Sequence, residues 1–350
     1  MKKKVAVLGA TGTVGQRICD MLRKHPWFEV SALTGGSSAG RLYGEAVNWL
    51  LPNEVPEKLR DLRVRPSAPD DIDADLVFSA LPSGVARKVE PPFAEAGLPV
   101  VSNASAYRME ADVPLVVPEV NPDHIELIGA QRKSRGWDGF IATDPNCSTI
   151  NFVLALKPLQ DILVIRKVIV TTMQAISGAG YPGVPSMDIL DNVIPYIGGE
   201  EEKMGSETLK VLGALKDGEV KRAPFKVAAA CNRVPVHDGH LETVYLETKD
   251  DVDMVSVRTA FREFRGGVHG LGLPTAPGVP VLLTEEEDRP QTRFDRMAGS
   301  VPGMSVTIGR LRRGVDERSL RLVVLGHNTI RGAAGGAISL AELLVAKGWI

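Results

Sequence analysis

The first fifteen residues constrain this chain more than any other stretch. A β-branched run, KKVAVL, passes directly into Gly9-Ala10-Thr11-Gly12-Thr13-Val14-Gly15, and from there into the amphipathic TVGQRICDMLRKH. A strand that turns through a few glycines into a helix is the opening unit of a doubly wound parallel sheet. The turn also leaves unpaired backbone N–H groups at a helix N-terminus, which can receive a pyrophosphate. Gly9, Thr11, Gly12, Thr13 and Val14 are therefore the candidate dinucleotide contacts. The spacing is GxxGxxG, not the commoner GxGxxG, so it defines the turn more firmly than the ligand.

The second strand, FEVSAL, sharpens the ligand. An NAD site usually places Asp or Glu just beyond this strand to bind the ribose hydroxyls. Here the continuation is Thr34-Gly35-Gly36-Ser37-Ser38-Ala39-Gly40-Arg41, with no carboxylate to repel a 2′-phosphate. Hydroxyls from Ser37 and Ser38, with Arg41 nearby, favour NADP.

Alternation of short strands and amphipathic stretches continues to about residue 147, with DLVFSAL, PVVSNAS, LVVPEV and GFIATDP as further strands and PPFAEAG as a helix. This is the pattern of βαβ units and a Rossmann-type sheet. Beyond Cys147 the texture changes. VIRKVIVTTMQAIS and FKVAAACNRVPVHDGHLETVYLET alternate as half-buried strands of a mixed or antiparallel sheet. The expected fold is thus α/β, a doubly wound domain plus a second, mixed α/β domain for substrate and dimer contacts. The expected division is 1–147 with 327–350 for NADP, and 148–326 for substrate and dimerisation. Gly266–Pro280 is rich in Pro and Gly and reads as a connection over the surface, over a site or over a subunit contact. The closing HNTIRGAAGGAISLAELLVAKGW reads as a closely packing Ala/Gly-rich helix.

A length of 350 residues suits two domains and a cleft between them. Lys and Arg number 41 against 43 Asp and Glu, which provides no basic field for nucleic acid or an anionic membrane. Small molecules are the expected partners. Three cysteines make neither a disulfide framework nor a metal site, and no apolar run approaches the ~18 residues of a membrane span. A cytoplasmic protein without a metal is expected.

Cys147 stands in Asp144-Pro145-Asn146-Cys147-Ser148-Thr149, between the strand-like GFIAT and the helical INFVLALKPL. A thiol at a helix N-terminus meets the positive end of the dipole, which favours thiolate and nucleophilic attack. Cys19 in the first helix and Cys231 in a strand run read as small buried hydrophobes. A thiolate beside a nicotinamide site points to chemistry at an acyl carbon, because a thioester can accept hydride. The required acid/base could be His237 or His240 in Arg233-Val234-Pro235-Val236-His237-Asp238-Gly239-His240. Residue chemistry leaves that choice open.

GATGTVGQR, SALPS, SNASAYRM, VPEVN, PNCST, QAISGAGYPGVPS, GEEEKMGSET, CNRVPVHDGH, DRPQ and HNTIRGAAG occur in this order along nearly the whole chain. Together they resemble the aspartate-semialdehyde dehydrogenases, in particular their archaeal and fungal branch. The resemblance implies reversible NADPH-dependent conversion of L-4-aspartyl phosphate to L-aspartate 4-semialdehyde through a thioester on Cys147, in the route to lysine, threonine and methionine. It implies His240 as the acid/base, Gln174 beside the nucleophile, Arg233 on the substrate carboxylate and Glu200 on its ammonium. Lys203, Arg108 and Ser105 match phosphate-binding positions, Asn146 a substrate position, and Ser177, Gly178 and Asn328 cofactor positions. A homodimer or homotetramer is implied. One departure stands out: Ser37 occupies a place where many relatives carry arginine, which weakens the expected discrimination against NAD. Two other readings compete, a malonyl-CoA reductase retaining Cys147 and His240, and a non-catalytic NADP-sensing regulator.

Overall fold

The computed structural model describes residues 2–70 and 72–350. Strands β1 (Lys3–Leu8), β2 (Phe28–Thr34), β3 (Leu76–Ser79), β4 (Pro99–Ser102) and β5 (Phe140–Thr143) form a wholly parallel sheet in the order β2-β1-β3-β4-β5. Residues of β1 alternate between two apolar clusters, Val5 and Val7 on one face and Ala6 and Leu8 on the other. Burial on both faces explains why these strands read as continuous apolar runs. Between β1 and β3 the order of winding reverses, which opens a crevice at the strand ends. Gly9 turns there at φ +71°, and a Cβ on it would lie 2.8 Å from the carbonyl oxygen of Ala80, just past β3. Helix α1 (Thr13–Met21) follows.

Helix α2 (Cys147–Gln160) leads to the second sheet. Its strands are β6 (Ile165–Gln174), β7 (Lys226–Arg233), β8 (His240–Thr248), β9 (Val281–Leu283), β10 (Val306–Arg313) and β11 (Ser319–Gly326), in the order β9-β10-β11-β8-β6-β7. The outer pairs β9·β10 and β6·β7 are parallel and the inner ones antiparallel, so the sheet is mixed. α2 is buried on nearly every side because it lies on this sheet, with Phe152, Val153 and Leu156 in one core with Val168, Val170 and Val244. Helix α3 (Glu200–Val211) packs beside it. The closing helix α4 (Gly335–Ala346) returns to the first lobe, where Ala337, Ile338 and Leu344 join the core of Val5 and Val7.

LVVPEV is not a strand. Pro114 and Pro118 offer no N–H, and Asn121 takes the place of a ladder partner: its Oδ1 accepts from Val117 N and its Nδ2 donates to Leu115 O, both at 2.9 Å. Only an isolated bridge from Leu115 to Thr143 remains. The run from Phe225 to Thr248 divides at Val234–Gly239 into β7 and β8. Gly266–Pro280 is a loop, fastened to the first lobe by buried Val268 and Leu273 and by Thr275, whose N–H donates to Glu342 on α4.

Candidate active site

Cys147 begins α2, and Asn146 caps it: the Asn146 Oδ1 accepts from Ser148 N at 2.9 Å and from Thr149 N at 3.3 Å. This is the local order that an Asn before a helical run encodes. The Cys147 sulfur lies 3.2 Å from His240 Nε2, at the start of β8. His237 is elsewhere, exposed and paired with Asp238 at 2.8 Å, so of the two histidines it is His240 that lies beside the sulfur.

Ala175 fixes two of the surrounding groups. Its N–H donates to His240 Nδ1 at 3.1 Å, and its carbonyl accepts from Arg233 at 2.7 Å. Because Nδ1 is an acceptor, the neutral ring carries its proton on Nε2, facing the sulfur. Burial pushes His240 down to about 3, with Arg233 and His327 adding to the effect. Against the thiolate expected from the helix terminus, burial pushes the Cys147 thiol up to about 12, Glu200 adds to this, and Arg108 and Arg233 oppose it. Removal from water outweighs the dipole here. Cys19 and Cys231 are buried as expected.

Cys147 lines two adjoining cavities. One is polar and carries Ser105, Arg108, Asn146, Gln174, Glu200, Lys203 and Arg233. In the other, Thr13 and Val14 at the start of α1 face Ser177, Gly178 and Asn328. Every predicted catalytic and substrate residue therefore meets around one sulfur. Glu200 accepts from Asn146 Nδ2 at 2.7 Å and sits 3.4 Å from Lys203 Nζ. Asn328 accepts from Gly239 N and donates to Ser177 Oγ, both at 2.8 Å. Gly178 has no room for a side chain, since a Cβ would lie 2.9 Å from Arg233 Nη1.

Gly9, Thr11 and Gly12 form the turn below this cavity, and a Cβ on Gly15 would come within 2.3 Å of the Gly9 carbonyl. That closeness packs α1 tightly on the turn, and Gly12 at its start offers no side-chain cap, which suits a helix N-terminus that receives a dinucleotide phosphate. Ser37 and Ser38 lie beyond β2, Ser37 exposed and Ser38 buried against Gly35. Arg41 donates to the carbonyl of Glu45, while the bridges Thr34↔Arg65 and Leu42↔Arg63 bring two further arginine positions to this loop.

Several residues at the site escaped the sequence reading. A Cβ on Gly332 would lie 2.7 Å from Cys147 Cβ, so this glycine lets the π-helical turn Ile330–Ala334 press against Cys147. Glu207 bonds both Arg108 and the backbone of Asn146. Asp144, three residues before the cysteine, is pushed up to about 8 by burial, against the pull of Arg108.

A family model described as "Semialdehyde dehydrogenase, NAD binding domain" matches residues 4–128, and one described as "Semialdehyde dehydrogenase, dimerisation domain" matches residues 156–331. The chain is 57% identical to an aspartate-semialdehyde dehydrogenase of Methanothermobacter thermautotrophicus, over 97% of this chain and 98% of that protein. The chain belongs to the aspartate-semialdehyde dehydrogenase family. The fold of this semialdehyde dehydrogenase matches a solved aspartate semialdehyde dehydrogenase with NADP from Candida albicans, with a TM-score of 0.92, 44% identity and 100% of both chains covered. A malonyl CoA reductase (NADP) of Metallosphaera sedula is 42% identical over 99% of this chain and 98% of that protein. The chain is an oxidoreductase of this family, and the matched dimerisation domain makes it an oligomer-forming member. No helix among the described residues is long and apolar enough to cross a membrane.

Proposed function

We propose that this enzyme converts L-4-aspartyl phosphate and NADPH reversibly to L-aspartate 4-semialdehyde, phosphate and NADP, through a thioester on Cys147, in the biosynthesis of lysine, threonine and methionine. The observation that carries the reading is the Cys147–His240 pair, held at 3.2 Å where a polar, doubly charged cavity meets the cavity reaching the start of α1. An NADP-sensing regulator would have no use for that pair. Relatives named for two substrate classes, an aspartate-semialdehyde dehydrogenase and a malonyl CoA reductase, agree with acyl-group reduction.

Arg233 and Glu200 offer a cation and an anion in the cavity that Cys147 lines, complementary to the carboxylate and ammonium of an amino acid. Arg108, Lys203 and Ser105 supply donors for a phosphate dianion. The sulfur of Cys147 attacks the acyl carbon, the C–O bond to phosphate breaks, and the phosphate leaves toward those donors with the proton that the thiol gives up. The turn at Gly9–Val14, with Ser177, Gly178 and Asn328, would hold NADPH, which when bound would supply the hydride to the acyl carbon. The His240 Nε2–H donates a hydrogen bond to the oxygen as it becomes negative, and when the aldehyde forms and the C–S bond breaks, the released sulfur regains its proton from solvent by way of the ring. Gln174, which donates to Thr172 Oγ1 at 3.2 Å, orients the substrate beside the sulfur. Ser37 and Ser38 receive the 2′-phosphate. Residues 1–147 with 327–350 serve as the cofactor lobe, and 148–326 as the substrate and dimerisation lobe. The working form is a cytoplasmic homodimer or homotetramer.

Malonyl-CoA is the competing substrate, supported by the relative from Metallosphaera sedula. It has no ammonium for Glu200. Purified enzyme is therefore offered aspartate semialdehyde with phosphate, or malonyl-CoA, each with both cofactors, while nicotinamide absorbance is followed. Turnover of the semialdehyde with NADP is expected. Glu200→Gln and Arg233→Leu should each lower its kcat/KM by roughly ten- to a hundredfold, the loss of a charge-assisted contact worth ~1.5–3 kcal/mol, with Arg233→Leu the harsher. A preference for malonyl-CoA that survives Glu200→Gln intact would replace this substrate assignment.

A further inference from the structure

Glu200, Lys203, Glu207 and Lys210 lie on one face of α3, at the spacing that stacks side chains on a helix. The first two line the polar cavity. The second two reach a different target. Glu207 Oε1 accepts from Arg108 Nη1 at 3.1 Å, and its other oxygen accepts from Asn146 N at 2.7 Å. Lys210 Nζ donates to the carbonyls of Arg108, Glu110 and Val113 at 2.7, 2.8 and 2.8 Å. Arg108 is thus gripped by α3 at its guanidinium and at its main chain. Nη2 is taken by the Asn103 carbonyl at 2.6 Å, while Nε has no partner and the side chain lines both cavities at Cys147.

Glu207 is only 1% exposed, and a carboxylate that deep needs both oxygens engaged. It has them on two groups of different use. Arg108 is on the phosphate side of the proposed reaction, and Asn146 caps the helix that begins with the nucleophile. We propose that Glu207 is a positioning residue that ties the phosphate-binding guanidinium of Arg108 to the backbone of the Cys147 helix cap, fixing the distance between the leaving phosphate and the attacking sulfur. Acyl transfer is sensitive to such registration, because a small displacement of either group costs the near-attack geometry. A glutamine cannot replace it, having one acceptor oxygen where two are used. This inference rests on the phosphate role proposed above for Arg108.

The test compares wild type, Glu207→Gln, Arg108→Leu and the double variant. Two readouts are used: steady-state turnover of aspartate semialdehyde, NADP and phosphate, and protection of Cys147 by inorganic phosphate against iodoacetamide, followed by mass spectrometry. Glu207→Gln should lower kcat/KM for phosphate by about tenfold or more and weaken phosphate protection, while KM for NADP stays within about twofold. In the double variant the losses should fall well short of multiplying, since Glu207 acts through Arg108. Glu207→Asp keeps the buried charge but shortens its reach, and should give the same pattern at smaller size if the glutamine variant does not fold. Fully multiplicative losses, or equal weakening toward phosphate, semialdehyde and NADP, would overturn the proposal. Phosphate protection is measured without turnover. If wild type is protected by phosphate yet does not turn over the semialdehyde, the substrate reading fails and the positioning role stands or falls on the variants alone.

Discussion

Burial that brings Cys147 and His240 together also holds each in its neutral form, the thiol near 12 and the imidazole near 3. Sequence order made the cysteine legible, since Asn146, the nucleophile and the helix are neighbours in the chain. Its protonation was not legible, because desolvation depends on α3, β7 and the closing turn folding over the sulfur. The same limit applies to Glu207, whose bond to Asn146 spans 61 residues, and to Ala175, whose bond to His240 spans 65. Two outcomes follow for the free enzyme. Alkylation of Cys147 by iodoacetamide, a neutral reagent that reads the thiolate fraction, should climb steadily from pH 6 to beyond 9; a plateau at neutral pH would mean a preformed thiolate. Cys147→Ser should abolish measurable turnover, whereas Cys19→Ser and Cys231→Ser, neither of which lines either cavity, should leave kcat largely intact.

Elements were read well where periodicity was undisturbed. β1, α1, β5 and α2 appear where apolar spacing and glycine or asparagine punctuation put them. LVVPEV shows where that method ends: its apolar spacing suits a strand, but two prolines and a side-chain amide 6 residues from Leu115 remove the ladder. Buried charge within an element is equally hard to see. Glu90 lies in the helix Ser83–Glu95, fully buried, and burial raises it to about 7 while Ser102 and Ser79 pull the other way. With a folded pKa above the unfolded one, native protein holds this proton more tightly. Stability tied to it is present below about pH 4.5 and lost as pH rises through about 7. Glu90→Gln, which keeps an acceptor for the Ser102 hydroxyl, should change stability little at pH 4.5. By pH 8.5 it should raise it by up to ~3 kcal/mol, at about 1.4 kcal/mol per pKa unit. Urea midpoints at the two pH values measure this, and equal shifts at both would remove the explanation.

At the scale of the whole molecule, the chain's last segment joins the two lobes at Cys147. His327 and Asn328 follow β11 of the second sheet, Gly332 presses on Cys147, and α4 then packs into the core of the first. The sequence disclosed the helix and its small residues, but not why an arginine precedes Gly332. Arg331 is wholly buried and forms a two-bonded pair with Glu119, which is itself 1% exposed, with Nη1 to Oε1 at 2.7 Å. Glu119 belongs to the non-strand segment LVVPEV, and its carbonyl also accepts from Gly267 N at 2.9 Å. One ion pair thus anchors the closing turn, the irregular segment and the Pro/Gly-rich loop together. Removing one partner of a buried pair leaves an uncompensated charge and typically costs ~3–5 kcal/mol, whereas replacing both by apolar groups can be nearly neutral. Glu119→Gln should therefore destabilise by several kcal/mol and also lower kcat, because the guanidinium left without its counter-charge adjoins Gly332, which touches Cys147. Glu119→Leu with Arg331→Met should regain most of the stability. Denaturant midpoints and kcat for the three proteins decide it: an unchanged midpoint in Glu119→Gln, or a double variant less stable than that single one, would show that the pair does not anchor the turn.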